Sequence, residues 1–82
     1  MPFLLPLRGV PARKDHRKVL GEAIRQLRKQ ADLSQEKLAE KADLHHNYIG
    51  EIERGEKAAT IDTLVSVADA LGVRLRDLVA EL

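Results

Sequence analysis

The 82 residues leave room for one small domain around one core, which excludes the cleft between lobes that an elaborate enzyme needs. A composition of 44% hydrophobic and 33% charged residues, with one Tyr, one Phe and no Trp, requires a core of Leu, Ile, Val and Ala and predicts an all-α protein. The lack of cysteine excludes disulfides, thiolate nucleophiles and zinc fingers, and the net charge of +1 conceals a basic beginning and an acidic end.

Residues 1–14 contain Pro2, Pro6, Gly9 and Pro11, so no regular element fits and the segment reads as a flexible basic N-terminal arm. Across residues 1–18, Arg8, Arg13, Lys14, Arg17 and Lys18 stand against Asp15 alone, a balance suited to a polyanion. The apolar run "MPFLLPL" is too short and too broken by proline for a signal peptide or a membrane span, so a cytoplasmic location is expected.

The domain proper is expected over 15–82. Asp15 is a suitable N-cap, and Leu20, Ile24, Leu27 and Ala31 recur at helical spacing, which predicts a first helix over 16–30. Ser34 caps "QEKLAEKA", a short second helix over 35–42 with Leu38 and Ala42 on one face. "HHNYIGEIERG" follows and ends in Gly55, a residue suited to the left-handed position after a helix, so a third helix is expected over 46–53.

Thr60 caps a fourth helix over 61–71, with the apolar stripe Ile61, Leu64, Val65, Ala68 and Leu71 and a stop at Gly72. A fifth runs from 75 to the end, where Leu75, Leu78, Val79 and Leu82 supply more apolar surface than so small a core requires. Residues 58–82 carry Asp62, Asp69, Asp77 and Glu81 against Arg74 and Arg76, so this end is not the one that faces a polyanion.

Placed on a wheel at about 100° per residue, the third helix has His46, Asn47, Gly50, Glu51 and Arg54 on one side and Tyr48, Ile49 and Ile52 on the other. Asn can pair with adenine in a bidentate way and Arg with guanine, so the polar side suits a DNA groove; any surface helix also has a polar side. Context separates the two readings. Two short helices joined by a tight turn, with one helix before and two after, match the helix-turn-helix arrangement, whose second helix enters the major groove.

"LSQEKLAEKA", "IERGE" and "ALGV" make the chain from Leu20 to Leu82 resemble the lambda-repressor-like helix-turn-helix family, of phage Cro and repressor and of Xre type. Within it, "LHHNYIGEIERGE" is similar to the controller proteins of restriction-modification systems, small dimeric regulators of about this length. The resemblance implies a five-helix DNA-binding domain with the motif at helices 2 and 3.

It also implies roles for single residues. His46, Asn47, Gly50 and Glu51 fall at the base-reading positions, where a glutamate can accept from a cytosine amino group. Gln35, at the start of helix 2, falls where the family touches the DNA backbone and braces the reading helix, with Arg54 and Lys57 as further phosphate contacts. Glu53 maps onto an acid that pairs with an arginine of helix 1, here Arg28, as a structural salt bridge. Glu56, Ala58 and Ala59 stand where relatives carry basic or polar residues, and Asp43 replaces a turn glycine but tolerates the left-handed conformation better than most side chains. Gly50 replaces a larger residue, either for close approach of the backbone to DNA or without consequence. Arg13 and Lys14 of the arm either follow the DNA or lie in a solvated tail.

The function implied is that of a sequence-specific transcriptional regulator, acting as a homodimer on a palindromic operator in double-stranded DNA. Val65, Leu75, Leu78, Val79 and Leu82 are the candidate dimer interface, with a fuller monomer core as their competing use. An antitoxin or protein-interaction module with autoregulatory DNA binding is the alternative function. No catalytic constellation or phosphate loop is present, so neither an enzymatic activity nor a cofactor is expected. A metal is not expected either, because His45 and His46 point about 100° apart and lack a further ligand at helical spacing; His45 is assigned to capping helix 3 instead.

Overall fold

The computed structural model describes residues 15–82, which form five helices in the order α1 (His16–Gln30), α2 (Gln35–Lys41), α3 (Tyr48–Glu53), α4 (Ile61–Leu71) and α5 (Leu75–Val79). The arm expected over 1–14, with Arg13 and Lys14, lies outside the described residues.

Three of the helix starts are closed by the caps expected from sequence. Asp15 accepts from the Arg17 N–H at 3.1 Å, Ser34 from the Lys37 N–H at 3.0 Å and Thr60 from the Thr63 N–H at 3.1 Å. Each bond satisfies a backbone donor that the first helical turn leaves without a partner. At α5 the reciprocal bond forms, in which the Arg74 N–H donates to the Asp77 carboxylate at 2.9 Å.

The ends of α1 to α4 share one device. Leu33, Leu44, Glu56 and Val73 each donate back five residues, to Arg28, Ala39, Glu51 and Ala68, around a left-handed residue at Asp32, Asp43, Gly55 and Gly72. These paired bonds use carbonyls that the last turn would otherwise leave open, and they reverse the chain sharply enough for short helices to stack.

Ile24, Leu38, Ile49, Ile52, Val67 and Leu78 are fully buried, so every helix contributes to one core. Leu78 is therefore a core side chain at 1% exposure, and it leaves the set of candidate dimer residues. Leu75 and Val79 are half-buried, whereas Val65 (43%), Leu82 (59%) and Ile61 (60%) are exposed.

Three helix limits differ from expectation. α2 ends at Lys41, with Ala42 as its C-cap and not its last residue. α5 ends at Val79, beyond which Leu82 bonds Val79 in the tighter i+3 pattern of a 3₁₀ turn. α3 begins at Tyr48 and not at 46, because the Tyr48 N–H turns back to the His45 carbonyl at 3.0 Å and the first i+4 bond runs from Glu51 to Asn47. No helix of the described residues is long and apolar enough to cross a membrane.

Candidate nucleic-acid interface

α3 is held from behind. Ile49 and Ile52 are buried in the common core, and the end of α3 lies so close to α1 that a Cβ at Gly21 would be 2.6 Å from the Glu53 carbonyl oxygen and nearer still to that of Ile52. A glycine inside α1 costs about 1 kcal/mol of helix stability relative to alanine. Here it allows two backbones to meet.

Polar bonds fix the same helix to its neighbours. Arg28 Nε donates to Glu53 Oε2 at 2.6 Å and Arg28 Nη2 to Oε1 at 3.0 Å, while Arg28 Nη1 reaches the Leu33 carbonyl at 2.9 Å. Gln35 Nε2 donates to Glu53 Oε1 at 2.9 Å, so one carboxylate of α3 joins α1 to the start of α2. The Glu53 side chain is 3% exposed and Arg28 11%, and the bond from Glu53 holds the Arg28 pKa above its ordinary value despite the opposing effect of burial. Glu53 is thus neutralised internally and adds no bare negative charge to the exposed face.

That face starts before the helix. His46 and Asn47 are exposed in the turn that leads into α3, and Asn47 already has helical backbone angles, with φ −86° and ψ −14°. His45 Nδ1 accepts from the Asn47 N–H at 3.2 Å within the turn and does not cap α3 as expected, because the helix starts later, at Tyr48, with Asn47 as its N-cap and no side-chain cap; the two imidazole rings stack with centroids 4.3 Å apart. Glu51 is half-exposed one turn later.

Gly50 is different. It lies on the polar side of the wheel yet is buried, and the space a Cβ would take lies 3.1 Å from both Gln35 Oε1 and Arg54 Nη1. Two long side chains close over this glycine from either side, so it is a floor under Gln35 and Arg54 and not itself an exposed position.

Arg54 in turn is gripped by Glu56, with Nε to Oε2 at 2.9 Å and Nη2 to Oε1 at 3.1 Å. The bonding raises the Arg54 pKa and lowers that of Glu56. Lys57 is exposed in the same loop, which Tyr48 ties down by donating its hydroxyl to the Ala58 carbonyl at 3.3 Å.

Sequence reasoning missed Gly21, Glu53 as the residue through which Gln35 braces α3, the Tyr48–Ala58 bond and the Arg54–Glu56 pair. The last has no periodic signal, since residues two apart do not face each other on a helix. They meet because Gly55, at φ 74°, turns the chain back between them.

A separate depression of about 560 Å³ lies between α1 and α5, away from α2 and α3, with Val19, Ala23 and Leu27 among its lining residues. Among the described residues no group of three or more His, Cys, Asp or Glu is placed to hold a metal ion.

The chain is similar to known proteins over these helices. A family model described as helix-turn-helix matches residues 24–78, from the middle of α1 to the middle of α5. The control protein C.BamHI of Bacillus amyloliquefaciens is 43% identical over 63 residues, which cover 76% of this chain and 78% of that protein. The control protein C.SmaI of Serratia marcescens is 46% identical over 57 residues, covering 70% of this chain and 68% of the relative. Among solved structures, the restriction-modification controller protein C.AhdI from Aeromonas hydrophila superimposes with a TM-score of 0.75 at 34% identity, over 76% of this chain and 94% of that one. With the motif at α2 and α3, the matched family model and these similarities, the chain belongs to the helix-turn-helix family, as a DNA-binding regulator of the lambda-repressor-like, Cro and Xre type.

Proposed function

We propose that this chain is a sequence-specific transcriptional regulator that binds a palindromic operator as a homodimer, in the manner of a restriction-modification controller. The observation that carries the reading is the two-sided character of α3. Its back is buried and tied through Glu53 to Arg28 and Gln35, while His46, Asn47 and Glu51 remain available at its leading end. A helix fixed in this way can enter a major groove with its leading residues against base edges. Similarity to two control proteins and to a restriction-modification controller supports the same reading.

In this proposal His46, Asn47 and Glu51 read bases, and Gln35 and Lys57 contact phosphate. Gln35 retains one amide hydrogen beyond its bond to Glu53, and its own backbone N–H opens α2. One such helix spans few base pairs, so two copies related by a two-fold axis are needed for useful specificity. Exposed Val65 and Leu82, half-buried Leu75 and Val79, and exposed Ile61 one turn before Val65 form the proposed contact between copies.

Selection of bound sequences from random duplex DNA, repeated at several salt concentrations, tests this. A palindromic consensus is expected, with affinity falling as salt rises through release of counterions. Binding without sequence preference would overturn the operator reading. Asn47→Ala is expected to relax preference at particular positions, at a cost of ~1–3 kcal/mol for the base it reads, while Gln35→Ala weakens all sequences alike. Equal loss on every sequence in both variants would contradict this division of roles.

A further inference from the structure

We propose that Arg54 is a guanine-reading residue and that Glu56 is the positioning residue that aims it. The helical wheel puts Arg54 on the polar side of α3, but the resemblance assigns it to phosphate and makes Glu56 a departure from the basic or polar residue that relatives carry. The geometry points elsewhere.

A guanidinium has two edges on which it can make paired hydrogen bonds. Glu56 takes the Nε–Nη2 edge with both carboxylate oxygens, at 2.9 and 3.1 Å. The Nη1–Nη2 edge is left, and among the described residues Nη1 has no hydrogen-bond partner. This edge matches O6 and N7 of guanine, the acceptor pair that guanine presents in the major groove.

The direction of the side chain agrees with this use. Arg54 caps the end of α3, but Nη1 lies 3.1 Å from where a Cβ of Gly50 would be, so the guanidinium lies back over the exposed side of the helix. The absence of a side chain at Gly50 makes the room. A guanidinium fork can hold a phosphate as well as a base, but a carboxylate bound to that arginine offsets its charge and weakens the attraction to phosphate. A base contact needs a planar fork held at one angle, and a bidentate carboxylate supplies this. The partner is therefore a guanine of the operator half-site. The inference rests on the operator-binding reading and deepens it.

The two roles for Glu56 give opposite signs. Sequences bound by the wild-type protein, Arg54→Ala, Glu56→Gln and Glu56→Ala are selected from random duplexes and their affinities measured against salt. The expected result is one guanine position per half-site at which preference falls about tenfold in Arg54→Ala and several-fold in both Glu56 variants. The salt slope of the Glu56 variants should stay that of the wild type, because the number of phosphates neutralised is unchanged. The pair is exposed, at 56% and 55% of the side chains, so thermal unfolding of the variants should follow the wild type and exclude a folding defect.

Tighter binding of Glu56→Gln to every sequence alike, with base preference intact, would overturn the proposal and make Glu56 only a repulsive charge. Loss of a consensus-wide factor in Arg54→Ala with no change at any single base would return Arg54 to the phosphate. A wild-type protein that selects no consensus would instead remove the operator reading itself, a failure distinct from either of these.

Discussion

An added methyl group at Gly21 would meet the backbone carbonyls of Ile52 and Glu53, which cannot withdraw without moving α3. At Gly50 it would meet the far ends of Gln35 and Arg54 at 3.1 Å, which need give only a few tenths of an ångström without breaking the Gln35–Glu53 bond. The same substitution is therefore expected to have opposite effects on stability. Gly21→Ala should lose about 2 kcal/mol, because the overpacking cost exceeds the gain in helix propensity; Gly50→Ala should gain up to ~1 kcal/mol. Urea midpoints at constant m-value measure both. A third expectation concerns Asp32 and Asp43, at φ 59° and 58°. Replacing either by glycine relieves a left-handed conformation that a side chain disfavours, and should raise stability by about 0.5–1 kcal/mol in the same titration.

At the scale of elements, the short helices depend on their ends and on each other. α2 has seven residues and α3 six, lengths that are not stable alone in water, so packing and caps must hold them. The Arg28–Glu53–Gln35 connection does this for α2 and α3, and its energetics are asymmetric. Glu53→Ala leaves a largely buried Arg28 without its counter-charge and should cost about 3 kcal/mol. The double variant Arg28→Met with Glu53→Leu should recover much of that loss, since apolar side chains of similar volume can fill the site. Thermal unfolding of the two single variants and the double variant checks the sign of the coupling. DNA affinity should stay low in the double variant, because Gln35 has lost the carboxylate that orients it.

For the molecule as a whole, Ile61, Val65 and Leu82 are large apolar side chains left at 60%, 43% and 59% exposure, and two copies in contact would cover them. Val65→Glu is expected to shift sedimentation equilibrium toward the monomer and to leave helix content unchanged, since this side chain is not among the fully buried ones. A monomeric wild-type protein at concentrations where DNA binding saturates would contradict the dimer. If the dimer is present, wild-type unfolding should also shift with protein concentration, and that shift should vanish in Val65→Glu.

Periodicity and end signals were enough to specify the number and order of the elements. The spacing of Leu20, Ile24 and Leu27, the caps Asp15, Ser34 and Thr60, and the stops Gly55 and Gly72 are local features, and all appear where local physics puts them. The family was legible from short strings for the same reason, and the resemblance also carried the pairing of Arg28 with Glu53. Tertiary structure decided what local spacing cannot encode. It assigned Leu78 to the core and covered Gly50 with Gln35 and Arg54, whereas the start of α3 at Tyr48 and the return of Glu56 against Arg54 come from local turns that helical periodicity does not represent. A helical wheel measures the angle of a side chain about its own axis. Whether that direction ends in water, in another helix or under a neighbouring side chain depends on how the helices pack.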